Sequence, residues 1–434
     1  MKTTRYVDIF LQVAVGFLGL TCAGISQGAT PAAPLSQRQL LIQRGEYLAR
    51  AGDCIACHTS LGGAPFAGGL PIKTPFGTII STNITPDKEQ GIGNYTQLDF
   101  SRALRKGKTP DRGYLYPAMP YASYSKLNDD DIGALYAYFM EGVAAKKQDN
   151  PVTRLSWPFS INRLMAIWNW LYLPTTPFVN TAKQSVQWNR GAYLVQGLGH
   201  CGACHTPRSV LGGERAFTEI DNKQFLSGAT IDGWYAQPLT GKTHPGLRNW
   251  AVADIVRYLK TGRNDNTAAF GAMAQVVSLS TQYLTAEDLM AMATYLKSTD
   301  KSPTEVSPKV SQNNTTSADL KAGKATAPGA LVFLNNCAAC HRSDGRGAIS
   351  VFPALSGSSV VVAADPTSLI RIVLQGSSMP HTADAPSELG MPGLGWRLSD
   401  NNIADVLTFI RTSWENDASF VAVDQVAKVR KSLN

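Results

Sequence analysis

The pentapeptide Cys-x-x-Cys-His occurs three times in this chain of 434 residues: Cys54-Ile55-Ala56-Cys57-His58, Cys201-Gly202-Ala203-Cys204-His205 and Cys337-Ala338-Ala339-Cys340-His341. Six of the seven cysteines fall inside these motifs, so the fold must present three equivalent thiol pairs, each with a histidine beside it. The spacing is that of covalent haem c attachment. Two thiols add across the porphyrin vinyl groups, and the adjacent histidine takes one axial position on the iron. The expected attachment residues are Cys54, Cys57, Cys201, Cys204, Cys337 and Cys340, with His58, His205 and His341 as axial ligands. A structural zinc site joins two cysteine pairs into one tetrahedron, and three pairs leave one over. A thioredoxin-like pair wants a βαβ context, whereas these pairs follow helical patterns. The run Gly197-Leu198-Gly199-His200-Cys201-Gly202 matches G-x-G-x-x-G, but it does not join a strand to a helix and it runs into a haem motif, so it is not read as a dinucleotide loop.

An iron that cycles electrons without binding substrate needs a second axial ligand, and a methionine thioether favours the ferrous state. The ligand is expected in a loop between each motif and the last helix of its repeat. Met119 precedes Leu127 by eight residues and Met273 precedes Leu284 by eleven. In the third repeat Met391 lies seven residues before Leu398 and Met379 nineteen before it. The repeat geometry favours Met391, with Met379 the alternative and His381 a weaker rival. The remaining histidines, His200, His244 and His381, read as surface or hydrogen-bonding residues. No residue is read as catalytic.

The repeats extend beyond the motifs. Each motif follows a helical stretch (Leu40 to Arg50, Gln187 to Val195, Pro328 to Leu334) that carries a glycine, Gly45, Gly191 or Gly329, where another helix can cross closely. The segments from Leu127, Leu284 and Leu398 align without gaps. Each continues with an N-cap residue, Asn128, Thr285 or Ser399. Apolar residues at helical spacing follow, with an aromatic at one offset: Tyr138, Tyr295 and Phe409. The fold expected is all-α: three tandem class I cytochrome c-type domains at 36–148, 185–300 and 328–415. Between them lie an aromatic-rich linker, 149–184, read as packing between domains or against a partner or membrane surface, and a flexible linker, 301–327, rich in Ser, Thr, Lys, Asn and Pro. The tail, 416–434, is read as a membrane-surface helix or a frayed end.

Lys2 and Arg5 precede an apolar run from Ile9 to Leu20, followed by small residues. Residues 1–28, with Cys22, therefore read as a secretory signal peptide rather than a membrane anchor. The formal charge is +8. Haem propionates would offset part of it, so nucleic-acid binding is not implied, and a basic face suits an acidic partner or anionic lipid.

With these residues in view, the chain resembles the trihaem cytochrome c subunits of bacterial membrane-bound dehydrogenases, the quinoprotein alcohol type and the flavoprotein gluconate, sorbitol and fructose types. The resemblance is carried by Gly45-Glu46-Tyr47-Leu48-Ala49-Arg50-Ala51-Gly52-Asp53-Cys54, Ser81-Thr82-Asn83-Ile84-Thr85-Pro86-Asp87, Leu115-Tyr116-Pro117-Ala118-Met119-Pro120-Tyr121, Gly199-His200-Cys201-Gly202-Ala203-Cys204-His205-Thr206-Pro207-Arg208 and Ala269-Phe270-Gly271-Ala272-Met273. It covers nearly the whole mature chain, more loosely in the third repeat. It implies three covalent haems c and an electron-transfer subunit that is not itself catalytic for substrate oxidation. The partner would be a catalytic subunit carrying FAD or PQQ, with a third small subunit in some complexes. Electrons would go to ubiquinone at the periplasmic face of the inner membrane. The competing reading is a free periplasmic multihaem carrier or an oxidase-associated cytochrome. A peroxidase-like haem enzyme is disfavoured because each repeat supplies a methionine.

Overall fold

The computed structural model describes residues 35–174, 176–221, 224–240, 246–265, 267–299 and 315–433. The expected signal peptide, Cys22, His244 and residues 301–314 of the second linker lie outside these.

The first unit opens with α1 (Gln37–Ala51), started by a capping box: the Ser36 hydroxyl accepts from the Gln39 N–H, and the Gln39 side chain accepts from the Ser36 N–H. The first motif forms the short helix α2 (Cys54–Cys57). After it come α3 (Gln97–Lys106), α4 (Tyr121–Tyr124) and α5 (Asp129–Ala137), which continues as a π-helical turn over Tyr138–Gly142. In the aromatic linker, α6 (Met165–Tyr172) follows a 3₁₀ turn at Asn162–Leu164. The second unit comprises α7 (Val186–Gln196), α8 (Gly202–His205), α9 (Val252–Thr261), α10 (Gly271–Leu279) and α11 (Ala286–Thr299). A short α12 (Thr316–Lys321) leads to α13 (Ala330–Asn336), α14 (Ala338–His341), α15 (Thr367–Gln375), α16 (Asp400–Thr412) and α17 (Val423–Leu433).

One helix crossing occurs three times. A Cβ placed on Gly45 would lie 2.0 Å from the Ala134 carbonyl oxygen, on Gly191 1.9 Å from that of Ala291, and on Gly329 2.2 Å from that of Asp405. Only a residue without a Cβ lets the first and last helices of each unit approach so closely. The three N-caps are as expected: Asn128, Thr285 and Ser399 side-chain oxygens accept from the N–H of Asp131, Asp288 and Asn402.

The purely helical expectation needs correction. Nine short strands form four small antiparallel sheets among the described residues. One is a hairpin of Ala229–Ile231 with Trp234–Ala236. It turns at Asp232 and Gly233, both at positive φ (50° and 72°). Asp-Gly is the residue pair that such a turn requires, a signal the helical reading passed over. The linkers also differ from expectation. The aromatic linker is ordered: Arg154–Leu155 joins the Pro71–Thr74 and Gly77–Ile80 hairpin as a third strand, while Trp168 stacks edge-on against Tyr121 at 5.8 Å. The second linker is not extended throughout, because the buried Leu320 anchors α12 to the third core.

The first two units share one continuous hydrophobic core, and the third has its own. A pseudo-twofold exchange joins the first two. Arg44 pairs with Asp131, and Arg190 with Asp288, each within its own unit. The Tyr47 hydroxyl then crosses to Asp288 at 2.5 Å, and the Tyr193 hydroxyl crosses to Asp131 at 2.6 Å. In the third unit Pro328, Leu331 and Asn402 stand at the corresponding places, and the exchange cannot form. The third unit instead docks through polar contacts: the buried Arg263 guanidinium donates to the carbonyls of Ser350, Ala385 and Ser387. Arg371 lies over the Trp234 ring. The tail forms α17, whose Val426 and Val429 are buried in the third core. Arg430 ties it to Asp400 and to the Gly395 and Leu398 carbonyls. The tail is therefore a docked helix, with Val426 and Val429 turned inward and Phe420 and Val423 left exposed.

Candidate haem sites

Each attachment motif lies on a short helix directly after the first helix of its unit. Tight turns make this possible: Asp53 before Cys54 has φ 50°, and His200 before Cys201 has φ 36°. In all three motifs the histidine Nδ1–H donates to a backbone carbonyl: His58 to Thr82 at 2.7 Å, His205 to Gln237 at 2.7 Å and His341 to Pro353 at 2.9 Å. This bond fixes the ring orientation and the tautomer and leaves Nε2 with its lone pair for a metal. Burial lowers the pKa of all three imidazoles and so favours the neutral form that ligates.

Burial pushes Cys54, Cys201 and Cys337 up to about 12. A raised thiol pKa disfavours the thiolate that zinc would bind. Among the described residues no three or more His, Cys, Asp or Glu side chains converge as a metal cluster would require.

The first site is the most complete. Cys54, Cys57, His58 and Met119 line one cavity of about 610 Å³. Its walls are largely apolar, with Ile80, Ile84, Phe100 and Leu104 among them. The sequence expected these four residues at one site, and the fold brings them to the wall of one cavity. Met119 sits in a turn closed by its own N–H to the Tyr116 carbonyl. Met273 differs from the loop position expected: it lies in the first turn of α10, packed among Ala269, Ala274, Val277 and Tyr258. In the third unit the two methionine candidates lie on opposite arms of one hairpin. Met391 pairs across it with Ser377, and the Met379 N–H donates to Leu389. Met391 packs on the core that also receives Cys337.

Three residues at these sites were not singled out for their roles. His200 was read as a surface or hydrogen-bonding residue. Its Nδ1–H does donate to the Leu198 carbonyl at 2.8 Å, but the ring also lines the first cavity and stacks edge-on with Tyr124. It thus stands between the first cavity and the second attachment turn. Asp53 is buried with Oδ1 unpartnered, and burial raises its carboxyl to about 8. Glu214, beside the second motif, is raised to about 7 by burial, against the pull of Arg208 and Lys126. A polar residue adjoining an attachment cysteine is the only sequence signal for the first two, and its meaning depends on the packing of neighbouring units.

Three cysteine pairs on helical turns, each with a carbonyl-clamped histidine, define the class: this is a c-type cytochrome. A cytochrome c family model matches residues 326–414. The chain is 47% identical over 399 residues to the gluconate 2-dehydrogenase cytochrome c subunit of Pantoea cypripedii, covering 90% of each chain. It is 45% identical over 423 residues to the cytochrome c subunit of alcohol dehydrogenase (quinone) from Gluconobacter oxydans, covering 97% of this chain and 87% of that one. Against the fructose dehydrogenase cytochrome subunit of Gluconobacter japonicus the identity is 37% over 433 residues, covering 95% and 87%. The chain belongs to the family of cytochrome c subunits of these dehydrogenases.

Proposed function

We propose that this chain is the trihaem electron-transfer subunit of a membrane-bound dehydrogenase, with one cytochrome c domain in each of the three units. It would receive electrons from a catalytic subunit that holds FAD or PQQ, and deliver them to ubiquinone at the periplasmic face of the inner membrane. The observation that carries this is the threefold Nδ1 clamp on the motif histidines, in a chain related along nearly its whole length to dehydrogenase cytochrome subunits. A haem c at each site would supply one-electron exchange between ferric and ferrous iron.

The protein's own residues do the rest. Cys54 and Cys57, Cys201 and Cys204, and Cys337 and Cys340 would hold the three groups. His58, His205 and His341 would orient them, and Met119, Met273 and Met391 would shield them from water and substrate. The Cys57 thiol is raised to about 11, chiefly by burial, with Asp53 and Cys204 adding to it, so the first two attachment turns lie within electrostatic reach of each other. His200 and Tyr124 fill the space beside the first of these turns. The helix α10, which carries Met273, packs against α2 and against the strand Gly376–Ser378 that pairs with the Met391 strand. This helix thus touches both the first attachment turn and the third unit, which supports an electron path running through all three units.

The test is substrate-driven reduction of the detergent-solubilised complex. Ethanol, gluconate, sorbitol and fructose are added in turn while the ferrous bands are followed. Reduction by one of them is expected, with a large subunit co-purifying. If none reduces the protein and no large subunit accompanies it, the free-carrier reading replaces this one. For the third ligand, Met391→Ala should abolish the methionine-ligation band of one haem in three. A normal Met391→Ala spectrum with a disturbed Met379→Ala spectrum would reverse the assignment.

A further inference from the structure

Given the membrane attachment proposed above, we infer that the 3₁₀–α6 segment of the aromatic linker is the surface by which the chain rests on an anionic lipid bilayer. One face of this segment is committed to the protein. Met165 and Trp168 are buried, the Trp168 Nε1–H donates to the Leu211 carbonyl, and the Asn169 side chain bonds the Tyr121 hydroxyl and the Lys106 carbonyl. The other face carries Ile161, Leu164, Ile167, Trp170 and Leu171, all exposed, and Trp157 lies just before them. Trp157 and Trp170 are 81% and 83% exposed. Leu164, Ile167, Trp170 and Leu171 recur at helical spacing, so they form one outward stripe on a helix pinned from behind.

The surroundings favour lipid over protein. Lys106, Lys108, Arg112 and Arg163 are all exposed around this segment. Asn162 donates to the Arg112 carbonyl, which fixes that loop against the 3₁₀ turn. The acid at this edge, Asp111, is already engaged by Tyr95 and Arg112. Tryptophan beside lysine and arginine on a convex helix is the chemistry of an interfacial segment, whereas the buried centre of a protein interface is depleted of lysine. No helix among the described residues is long and apolar enough to cross a membrane, and Val426 and Val429 of α17 are buried in the third core. The segment also borders the first site: Arg112, Tyr116 and Asn162 line its cavity. Docking by α6 would set that cavity at the lipid face, within reach of a lipid-dissolved quinone.

The experiment is flotation of the full-length holoprotein with phosphatidylcholine vesicles, with and without phosphatidylglycerol. The wild type is expected to float with the anionic vesicles and to be partly released by salt. Ile167→Glu with Trp170→Glu should lower partitioning roughly 10- to 100-fold, Trp157→Glu less so, and Trp396→Glu, at an exposed tryptophan of the third unit, should leave it unchanged. Unaltered haem spectra verify that the variants fold. The inference is overturned if the double variant floats like the wild type, or if the wild type does not float. It is equally overturned if the double variant floats normally but loses its catalytic subunit, which would make the stripe a protein interface. Substrate-driven reduction of the solubilised complex requires no vesicle, so it succeeds or fails on the electron-transfer reading alone.

Discussion

At the scale of single residues, the sites depend on groups whose burial sets their charge. Asp53 adjoins the first attachment cysteine and lines the first cavity. Its carboxyl is raised from 3.8 to about 8 by burial, partly opposed by Arg50. The folded state therefore keeps a proton that the unfolded chain gives up near pH 4. The folded chain binds more protons in this window, so the group's contribution to stability falls as pH rises from about 4 to about 8. The same ionisation would place a negative charge at the wall of the first cavity and would favour the ferric form of an iron held there. The expected outcome is a potential for one haem that declines as pH passes through about 8. In Asp53→Asn that step should vanish, as read by spectroelectrochemical titration. A potential that declines equally in the variant would assign the proton to another group, Glu214 being next in line.

At the scale of elements, the repeated helix crossing explains why the three glycines recur. Gly191 is the tightest, with the Ala291 carbonyl 1.9 Å from where a Cβ would stand. Gly191→Ala must push α7 and α11 apart along a fully packed seam. The expected cost is about 2–3 kcal/mol, measured by denaturant unfolding. Substituting the neighbouring exposed Val186, outside the crossing, should cost about 0.5 kcal/mol or less. Much of this element scale was readable in advance. Helical spacing located α1, α7, α5, α11 and α16, and the N-caps expected for the last three, Asn128, Thr285 and Ser399, are the ones the structure uses. The short hairpins were missed because two- or three-residue strands carry no period-two signal, although Asp232-Gly233 offered a turn signal. Met273 was placed in a loop because nothing local distinguishes the first turn of a short helix from the loop that leads into it.

At the scale of the whole molecule, the two cores predict two thermal transitions in the holoprotein. The first two units share apolar contacts and the reciprocal tyrosine–aspartate exchange, so they should unfold together, with the third unit unfolding separately. Tyr47→Phe and Tyr193→Phe should each destabilise the shared transition by about 1–2 kcal/mol and leave the other in place. Scanning calorimetry checks this, and a single transition for the wild type would show that the polar docking around Arg263 couples all three units.

The sequence by itself determined the number of Cys-x-x-Cys-His motifs and the repeated helix pair, because each of these is a local spacing rule read within a few turns of chain. It also carried the family resemblance. Only the tertiary structure decided that the first two units are fused while the third stands apart. That depends on which of three similar surfaces meet, and a change at three positions (Pro328, Leu331 and Asn402) removes the exchange from the third. Tertiary packing also turned Val426 and Val429 of α17 inward and Trp157 and Trp170 of the linker outward. An apolar stripe specifies that some surface must cover it, but which surface does so is a long-range choice among competing partners.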